Sequence, residues 1–195
     1  MTTTLTTGVG AGTWSVSQLY ALNSYYDAAS NPQSTYTDGA VQFTASDKAY
    51  LSIADASQTG LDPLTGDYSY SFWVNPVSLA GGAQFVTKFD SSIGYQIYAG
   101  TTGAIGIYHS DGTHASGSSA AGVVTTGSWQ NLTVVVNRSG NLYVYKNGDT
   151  STPVITVDVS ARTGSLNSSS TFDVGGKSGS YASQSMDSLG FWNRA

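Results

Sequence analysis

The feature that most constrains the fold of this chain is a succession of short segments in which apolar and polar residues alternate. The clearest is WQNLTVVVNRSGNLYVYKNG, residues 129–148, where the alternation continues on both sides of a Ser-Gly turn. Leu142 and Val144 fall on one phase and Tyr143 and Tyr145 on the other. A period of two indicates a strand with one buried face, so this stretch predicts a β-hairpin.

About eleven such segments follow one another, separated by clusters of Gly, Ser, Asn and Asp, and no long stretch has a helical period. Many short strands with frequent turn signals are typical of an antiparallel sandwich or barrel. A chain of 195 residues is long enough for one domain with its own core. We therefore predict a single all-β domain over residues 14–195, preceded by a Thr- and Gly-rich flexible arm or linker over residues 1–13.

Composition excludes several classes of function. All twelve acidic residues are aspartate, only seven residues are Lys or Arg, and there is no cysteine. Seven scattered basic residues form no patch for neutralising phosphates, so we expect no nucleic-acid partner. No apolar run is long enough to insert in a membrane. The N-terminal MTTTLTTGVGAGTW does not have the regions of a signal peptide, so export would need another route or a longer parent chain.

The order of the motifs resembles the laminin-G-like, concanavalin A-like jelly rolls, especially their bacterial and phage-borne branch. The segments AVQFTASDKAYLSIAD, LDPLTGDYSYSFWVNP, QFVTKFDSSIGYQIYAGTTGAIGIYHSDGT, GSWQNLTVVVNRSGNLYVYKNG, FDVGGKSG and MDSLGFWNRA are similar to successive family segments. The resemblance covers about residues 38–195. It implies a two-sheet antiparallel jelly-roll sandwich, and it implies that Trp73, Trp129 and Trp192 pack in the core.

Glycosidases are part of the wider architecture, and their usual chemistry needs two carboxyl groups that flank the scissile bond. The related hydrolases supply a glutamate pair, whereas this chain has no glutamate and no strand with aspartates at alternate positions. His109 and His114 are the only histidines, and no nucleophile elbow accompanies them. We therefore predict that the protein is not an enzyme.

Calcium is the cofactor that the resemblance suggests, because many laminin-G-like modules bind it at the rim of the sandwich. Asp90 lies where the resemblance places a calcium aspartate, and Asp111 lies in the next turn. Calcium takes six to eight oxygen ligands, so two carboxylates would need help from carbonyls and water. The alternative is that both are ordinary turn residues that accept hydrogen bonds from their own backbone.

Tyrosines on the strands are the candidate ligand contacts, because an aromatic face stacks on sugar rings and the hydroxyl makes hydrogen bonds. We assign this role to Tyr98, Tyr108, Tyr143, Tyr145 and His109. The tyrosines are out of phase with the apolar residues, so they could share one sheet face. The alternative is that they only stabilise the sheet, since tyrosine favours strands and pairs across them.

Two functions follow as hypotheses. The first is a non-catalytic recognition module, extracellular or on a virion surface, that binds a glycan or a surface protein. The second is a phage structural protein, such as a capsid decoration, tail or fibre component, whose partners are other virion proteins. The end of the chain at Ala195 also fits a fragment of a longer adhesin.

Overall fold

The computed structural model describes residues 2–6, 11–15, 40–177 and 179–195, the first two segments as backbone strands. Within these ranges the chain forms sixteen strands and one short 3-10 helix at Asp55–Ser57. The strands are β1 (Thr2–Thr6), β2 (Ala11–Ser15), β3 (Val41–Phe43), β4 (Leu51–Ile53), β5 (Tyr68–Pro76), β6 (Ala83–Phe89), β7 (Ile93–Ala99), β8 (Ile105–Asp111), β9 (His114–Ser118), β10 (Gln130–Val136), β11 (Asn141–Lys146), β12 (Ile155–Asp158), β13 (Phe172–Val174), β14 (Gly176–Lys177), β15 (Ser180–Tyr181) and β16 (Gln184–Trp192).

Fourteen of these strands form two antiparallel sheets. The eight-stranded sheet has the order β2-β1-β4-β13-β6-β7-β8-β9, and the six-stranded sheet has the order β12-β11-β10-β5-β16-β3. The strands β14 and β15 pair with each other as a separate hairpin. This is the predicted jelly-roll sandwich.

The core lies between the sheets and is filled by alternate residues of the long strands. The predicted hairpin pairs β10 with β11, with Val134 opposite Val144. Its apolar phase is buried, as predicted, while Tyr143 and Tyr145 lie on the outer side and are half-buried. Strand β5 continues the sheet beside β10, and its Phe72 contacts Phe85 of the opposite sheet at 5.7 Å between ring centroids.

Each of the eleven predicted segments overlaps a strand of the structure. The segments are 40–44, 49–53, 68–75, 84–88, 94–99, 104–109, 129–137, 141–146, 153–158, 171–174 and 186–192. The two-residue strands β14 and β15 are not among them, nor is β9, whose His-Ala-Ser-Gly-Ser carries no alternation of apolar residues. The last of these, β9, is the longest. It is nevertheless a strand, because it pairs with β8 over five residues. Strand β1 and the first residues of β2 fall in the segment predicted as an arm, so the boundary between arm and domain stays a prediction.

A β-bulge in β6 decides which of its side chains face the core. The pairing of β6 with β7 shifts register between Gln84 and Val86, so that Phe85 and Val86 are both buried. Beyond the bulge the phase is reversed, because two residues of β6 oppose one of β7. Lys88 therefore points inward opposite Tyr95, and Phe89 points outward opposite Gly94.

Candidate ligand-binding face

The predicted tyrosines lie on two opposite surfaces of the sandwich. Tyr98 of β7 and Tyr108 of β8 are on the outer face of the eight-stranded sheet, and Tyr143 and Tyr145 of β11 are on that of the six-stranded sheet. The expectation of one contiguous tyrosine face is therefore wrong, because the two strand pairs belong to different sheets. The two surfaces have to be judged separately.

Four ring side chains form a continuous row on the eight-stranded sheet, which we call the aromatic row: Phe89, Tyr98, Tyr108 and His114. The ring of Tyr108 lies between those of Tyr98 and Phe89, with centroids 6.0 Å and 5.9 Å away and planes inclined by 16° and 11°. His114 contacts the Phe89 ring edge-on at 5.7 Å. The tyrosines and Phe89 are half-buried and His114 is exposed, so the row is fixed by packing but open to solvent.

A glycine beneath Tyr98 allows the row to form. Gly106 lies opposite Tyr98 on β8, and a Cβ atom built there would be 2.2 Å from the Tyr98 ring. The ring thus lies across the backbone of β8, beside Tyr108. Any other residue at Gly106 would displace it.

A row of polar side chains crosses the same face toward the middle of the sheet. Cross-strand pairing sets Ser52, Asp173, Thr87, Gln96 and Tyr108 side by side on β4, β13, β6, β7 and β8. We call the first four of these residues the polar row. It is recessed, since Thr87 is only 2% and Asp173 only 7% exposed.

The polar row holds one hydroxyl without a partner and one carboxyl with an altered pKa. Ser52 Oγ donates to Asp173 Oδ1 at 2.5 Å, and Gln96 Nε2 donates to Gln84 Oε1 at 2.8 Å. Burial raises the pKa of Asp173 above its ordinary value, and the bond from Ser52 opposes that effect. Thr87 Oγ1 has no hydrogen-bond partner in the described part of the chain.

The outer face of the six-stranded sheet is different, because its central polar groups satisfy one another. Asn131 Nδ2 donates to Ser71 Oγ at 3.1 Å, and Thr133 Oγ1 donates to Asn131 Oδ1 at 3.1 Å. Tyr143 and Tyr145 stack on each other with centroids 5.9 Å apart. The central hydrogen bonds and the stacked tyrosine pair support the sheet itself, and, within the described ranges, the unpartnered side-chain oxygen on this face is Asn75 Oδ1, toward the end of β5.

The prediction that three tryptophans pack in the core is wrong. Trp73 is 41%, Trp129 36% and Trp192 44% exposed. Trp73 takes the outward phase of β5 between the buried Phe72 and Val74. Trp192 lies across Gly190, where a Cβ atom would be 2.5 Å from the indole.

His109 lies in the core and not beside the tyrosines. It is 0% exposed, on the inward phase of β8, and its Nδ1 is 2.9 Å from the hydroxyl of Tyr68. Burial lowers the pKa of His109 to about 4, and the nearby Arg138 guanidinium acts in the same direction. A neutral, fully enclosed ring cannot contact a ligand on the outer face, so this assignment is wrong on position.

Asp90 and Asp111 both close turns at the rim. Asp90 Oδ1 accepts hydrogen bonds from the backbone N–H groups of Ser92 and Ile93, at 2.9 Å and 2.7 Å. Asp111 Oδ2 accepts from the N–H of Gly164 at 2.7 Å, and its Oδ1 accepts from Thr113 at 3.3 Å. The pKa of Asp90 is lowered, chiefly by the bond from Ile93.

These contacts do not fit a ready calcium site. The bonded oxygens already accept from donors of the chain itself, and the described residues contain no cluster of three or more potential metal-binding side chains. Calcium also needs several further oxygens. Calcium binding at Asp90 and Asp111 stays a prediction.

Comparison with known families agrees with this architecture. A laminin G-type family model, described as the concanavalin A-like lectin/glucanases superfamily, matches residues 44–195. The chain belongs to this superfamily. No curated protein sequence matches it.

Solved structures with the same fold include three toxin binding domains. The binding domain of Paraclostridial Mosquitocidal Protein 1 has a TM-score of 0.65 at 14% identity and covers 80% of this chain and 40% of its own. The binding domain of Botulinum neurotoxin DC, in complex with rat synaptotagmin II, has a TM-score of 0.60 at 13% identity and covers 80% and 39%. The ligand binding domain of Botulinum neurotoxin serotype D, in complex with N-acetylneuraminic acid, has a TM-score of 0.59 at 12% identity and covers 75% and 37%. This chain thus spans about two fifths of their lengths, and the likeness shows the fold.

Several residues of the face were missed by sequence reasoning. Phe89 and Thr87 point outward only because of the bulge in β6, and His114 lies on the strand that carries no apolar alternation. Asp173 joins them through pairing between strands far apart in the chain. None of these signals is local, so the pairing was needed to find them.

Proposed function

We propose that the protein is a non-catalytic module that binds a glycan on the outer face of its eight-stranded sheet. The observation that carries this proposal is the aromatic row beside the polar row on one surface. Sugar rings present C–H faces that stack on aromatic rings, and their hydroxyls pair with amide, hydroxyl and carboxyl groups. Both kinds of group stand side by side at Tyr108 and Gln96, which are directly paired.

The number of carboxyl groups on this face argues against hydrolysis. The usual mechanism needs an acid and a second carboxylate on opposite sides of the scissile bond. Along the described strands of the eight-stranded sheet, only Asp173 places a carboxyl on the outward phase. A single carboxyl group serves for recognition, as an acceptor for sugar hydroxyls.

Glycan-array screening with matched variants tests the proposal. Tyr108→Ala removes the central ring of the aromatic row, and Tyr145→Ala removes a half-buried ring from the opposite face. We expect Tyr108→Ala to weaken binding by about tenfold, which corresponds to about 1.4 kcal/mol. Tyr145→Ala should leave the affinity within about twofold. An array without any bound glycan, or an equal loss in both variants, would contradict the proposal.

A surface protein is the second candidate partner, and the exposed tryptophans favour it. Tryptophan is enriched at the centres of protein interfaces, and Trp73 and Trp192 are both more than two fifths exposed on the six-stranded sheet. Binding to whole cells separates the two partners. Loss with Trp73→Ser but not with Tyr108→Ala would identify a protein partner, and the reverse would identify a glycan.

The proposed place of action is the outside of a cell or the surface of a virion, where a glycan-binding module meets its ligand. Only 10% of the residues are charged, so the surface relies on uncharged polar side chains. Among the described residues no helix has the length and apolar character needed to cross a membrane. Mass spectrometry of purified virions and of secreted fractions would show which location is correct.

A further inference from the structure

Lys88 is a fully buried charge at the rim of the sandwich. Its ammonium group is 0% exposed and lies 2.7 Å from Asp55 Oδ1 and 3.1 Å from Asp62 Oδ1. It also donates to the backbone carbonyls of Ser168 and Ser170, at 2.6 Å and 3.0 Å. Two carboxylates and two carbonyls from separate loops thus converge on one nitrogen.

This set of oxygens is of the kind that usually surrounds a hard metal cation. Calcium is bound by aspartate carboxylates and backbone carbonyls that surface loops supply. Here the positive charge is attached to β6 and comes from the chain itself. The arrangement also needs the bulge in β6, because without it Lys88 would point outward.

Ser168 connects the oxygens around Lys88 to Asp90, one of the two aspartates predicted to bind calcium. Its N–H donates to Asp62 Oδ1 at 3.2 Å, and its hydroxyl donates to Asp90 Oδ2 at 3.2 Å. Its carbonyl accepts from Lys88. Lys88 therefore contacts Asp55 and Asp62 directly and is joined to Asp90 through Ser168. The hydrogen bond from Lys88 lowers the pKa of Asp55.

We propose that the Lys88 ammonium takes the place of a rim calcium ion, and that it holds together the loops carrying Asp55, Asp62 and Ser168–Ser170. Burying a charge is costly unless it is paired and hydrogen-bonded, and all three protons of this ammonium have oxygen acceptors within reach. The oxygens around Lys88 thus have their cation without a metal ion. This inference is independent of the glycan proposal.

A calcium titration of a lysine variant tests the idea. Lys88→Ala removes the cation and leaves the carboxylates and carbonyls around an open space. Without calcium the variant should melt several degrees below the wild type. Millimolar calcium should raise its Tm by about 5 °C or more, as expected for a site with a Kd near 0.1 mM. The wild type should change by less than about 1 °C when calcium or chelator is added.

Two controls separate this site from general effects of calcium on an acidic protein. Lys48→Ala removes an exposed lysine and should gain no calcium response. Lys88→Ala combined with Asp62→Asn should lose the response again, because one carboxylate ligand is gone. Calorimetry should find one more calcium ion for each Lys88→Ala chain than for the wild type.

Three results would overturn the proposal. The first is a Lys88→Ala variant with no gain in Tm or in bound calcium. The second is a wild type whose Tm rises as much as that of the variant. The third is a Lys88→Ala chain that stays unfolded at every calcium concentration, because the proposal requires calcium to replace the ammonium.

Discussion

His109 should make the stability of this domain fall in mild acid. In the folded protein its pKa is about 4, whereas the ordinary value is 6.5. Below pH 6.5 the unfolded chain therefore binds a proton that the folded chain excludes. A group with a lowered folded pKa contributes stability that is present above its unfolded pKa, and this stability is lost as the pH falls toward the folded value.

The size of the effect follows from the two pKa values. One pKa unit corresponds to about 1.4 kcal/mol, so the step from 6.5 to about 4 amounts to about 3 kcal/mol. The physical causes are burial between the sheets and repulsion from the Arg138 guanidinium. A loss of this size is large beside a typical domain stability of about 5–15 kcal/mol.

Urea unfolding at several pH values between 7 and 4 measures the effect. His109→Gln keeps a polar acceptor near Tyr68 but cannot be protonated, and His114→Gln removes the exposed histidine. The unfolding free energy of the wild type minus that of His109→Gln should fall by about 3 kcal/mol from pH 7 to pH 4. Contributions of aspartates that do not interact with His109, including Asp173, are common to the two proteins and cancel, whereas Asp111 acts on His109 directly.

His114→Gln is the control, and its unfolding free energy should fall with acid as much as that of the wild type. If His109→Gln and the wild type lose stability in parallel, His109 does not carry the effect and its buried, neutral state is refuted. If instead His114→Gln abolishes the loss, the assignment to the core histidine is wrong.

Three further predictions concern the candidate face. Thr87→Val removes a buried hydroxyl without a partner, so urea unfolding should show unchanged or higher stability, by up to about 1 kcal/mol. A loss above that would reveal a hidden partner. Gly106→Ala should push the Tyr98 ring aside and weaken glycan binding in calorimetry, without unfolding the domain by circular dichroism. Ser52→Ala should raise the pKa of Asp173 further in a carboxyl NMR titration, and a lower value would contradict the role of that hydrogen bond.

The fold could be predicted because the alternation along each strand is a local signal. The hairpin over residues 129–148 shows this, since its apolar phase is buried and its tyrosines face outward. Alternation also indicates that His109 faces the core, because it is in phase with the buried Ile105 and Ile107 on β8. The prediction of a ligand contact there went against that phase.

The arrangement of the site could not be predicted, because it depends on pairing between distant strands. Tyr108 and Tyr143 look alike in the sequence, yet β8 and β11 belong to different sheets. The bulge in β6 reverses the phase of Lys88 and Phe89, and nothing in their immediate neighbours indicates it. Trp73 is different, because the alternation of β5 sets it out of phase with Phe72 and Val74, and the expectation of core packing followed the family motif against that phase.

The central claim is that the ligand lies on the outer face of the eight-stranded sheet, and amide NMR shifts test it most directly. A glycan selected on an array would be titrated into isotope-labelled protein. We predict that the largest shift changes fall on β7, β8 and β9, around Tyr98, Tyr108 and Ser116. Changes centred instead on β10 and β11, around Tyr143 and Tyr145, or on the loops at the rim, would contradict the claim.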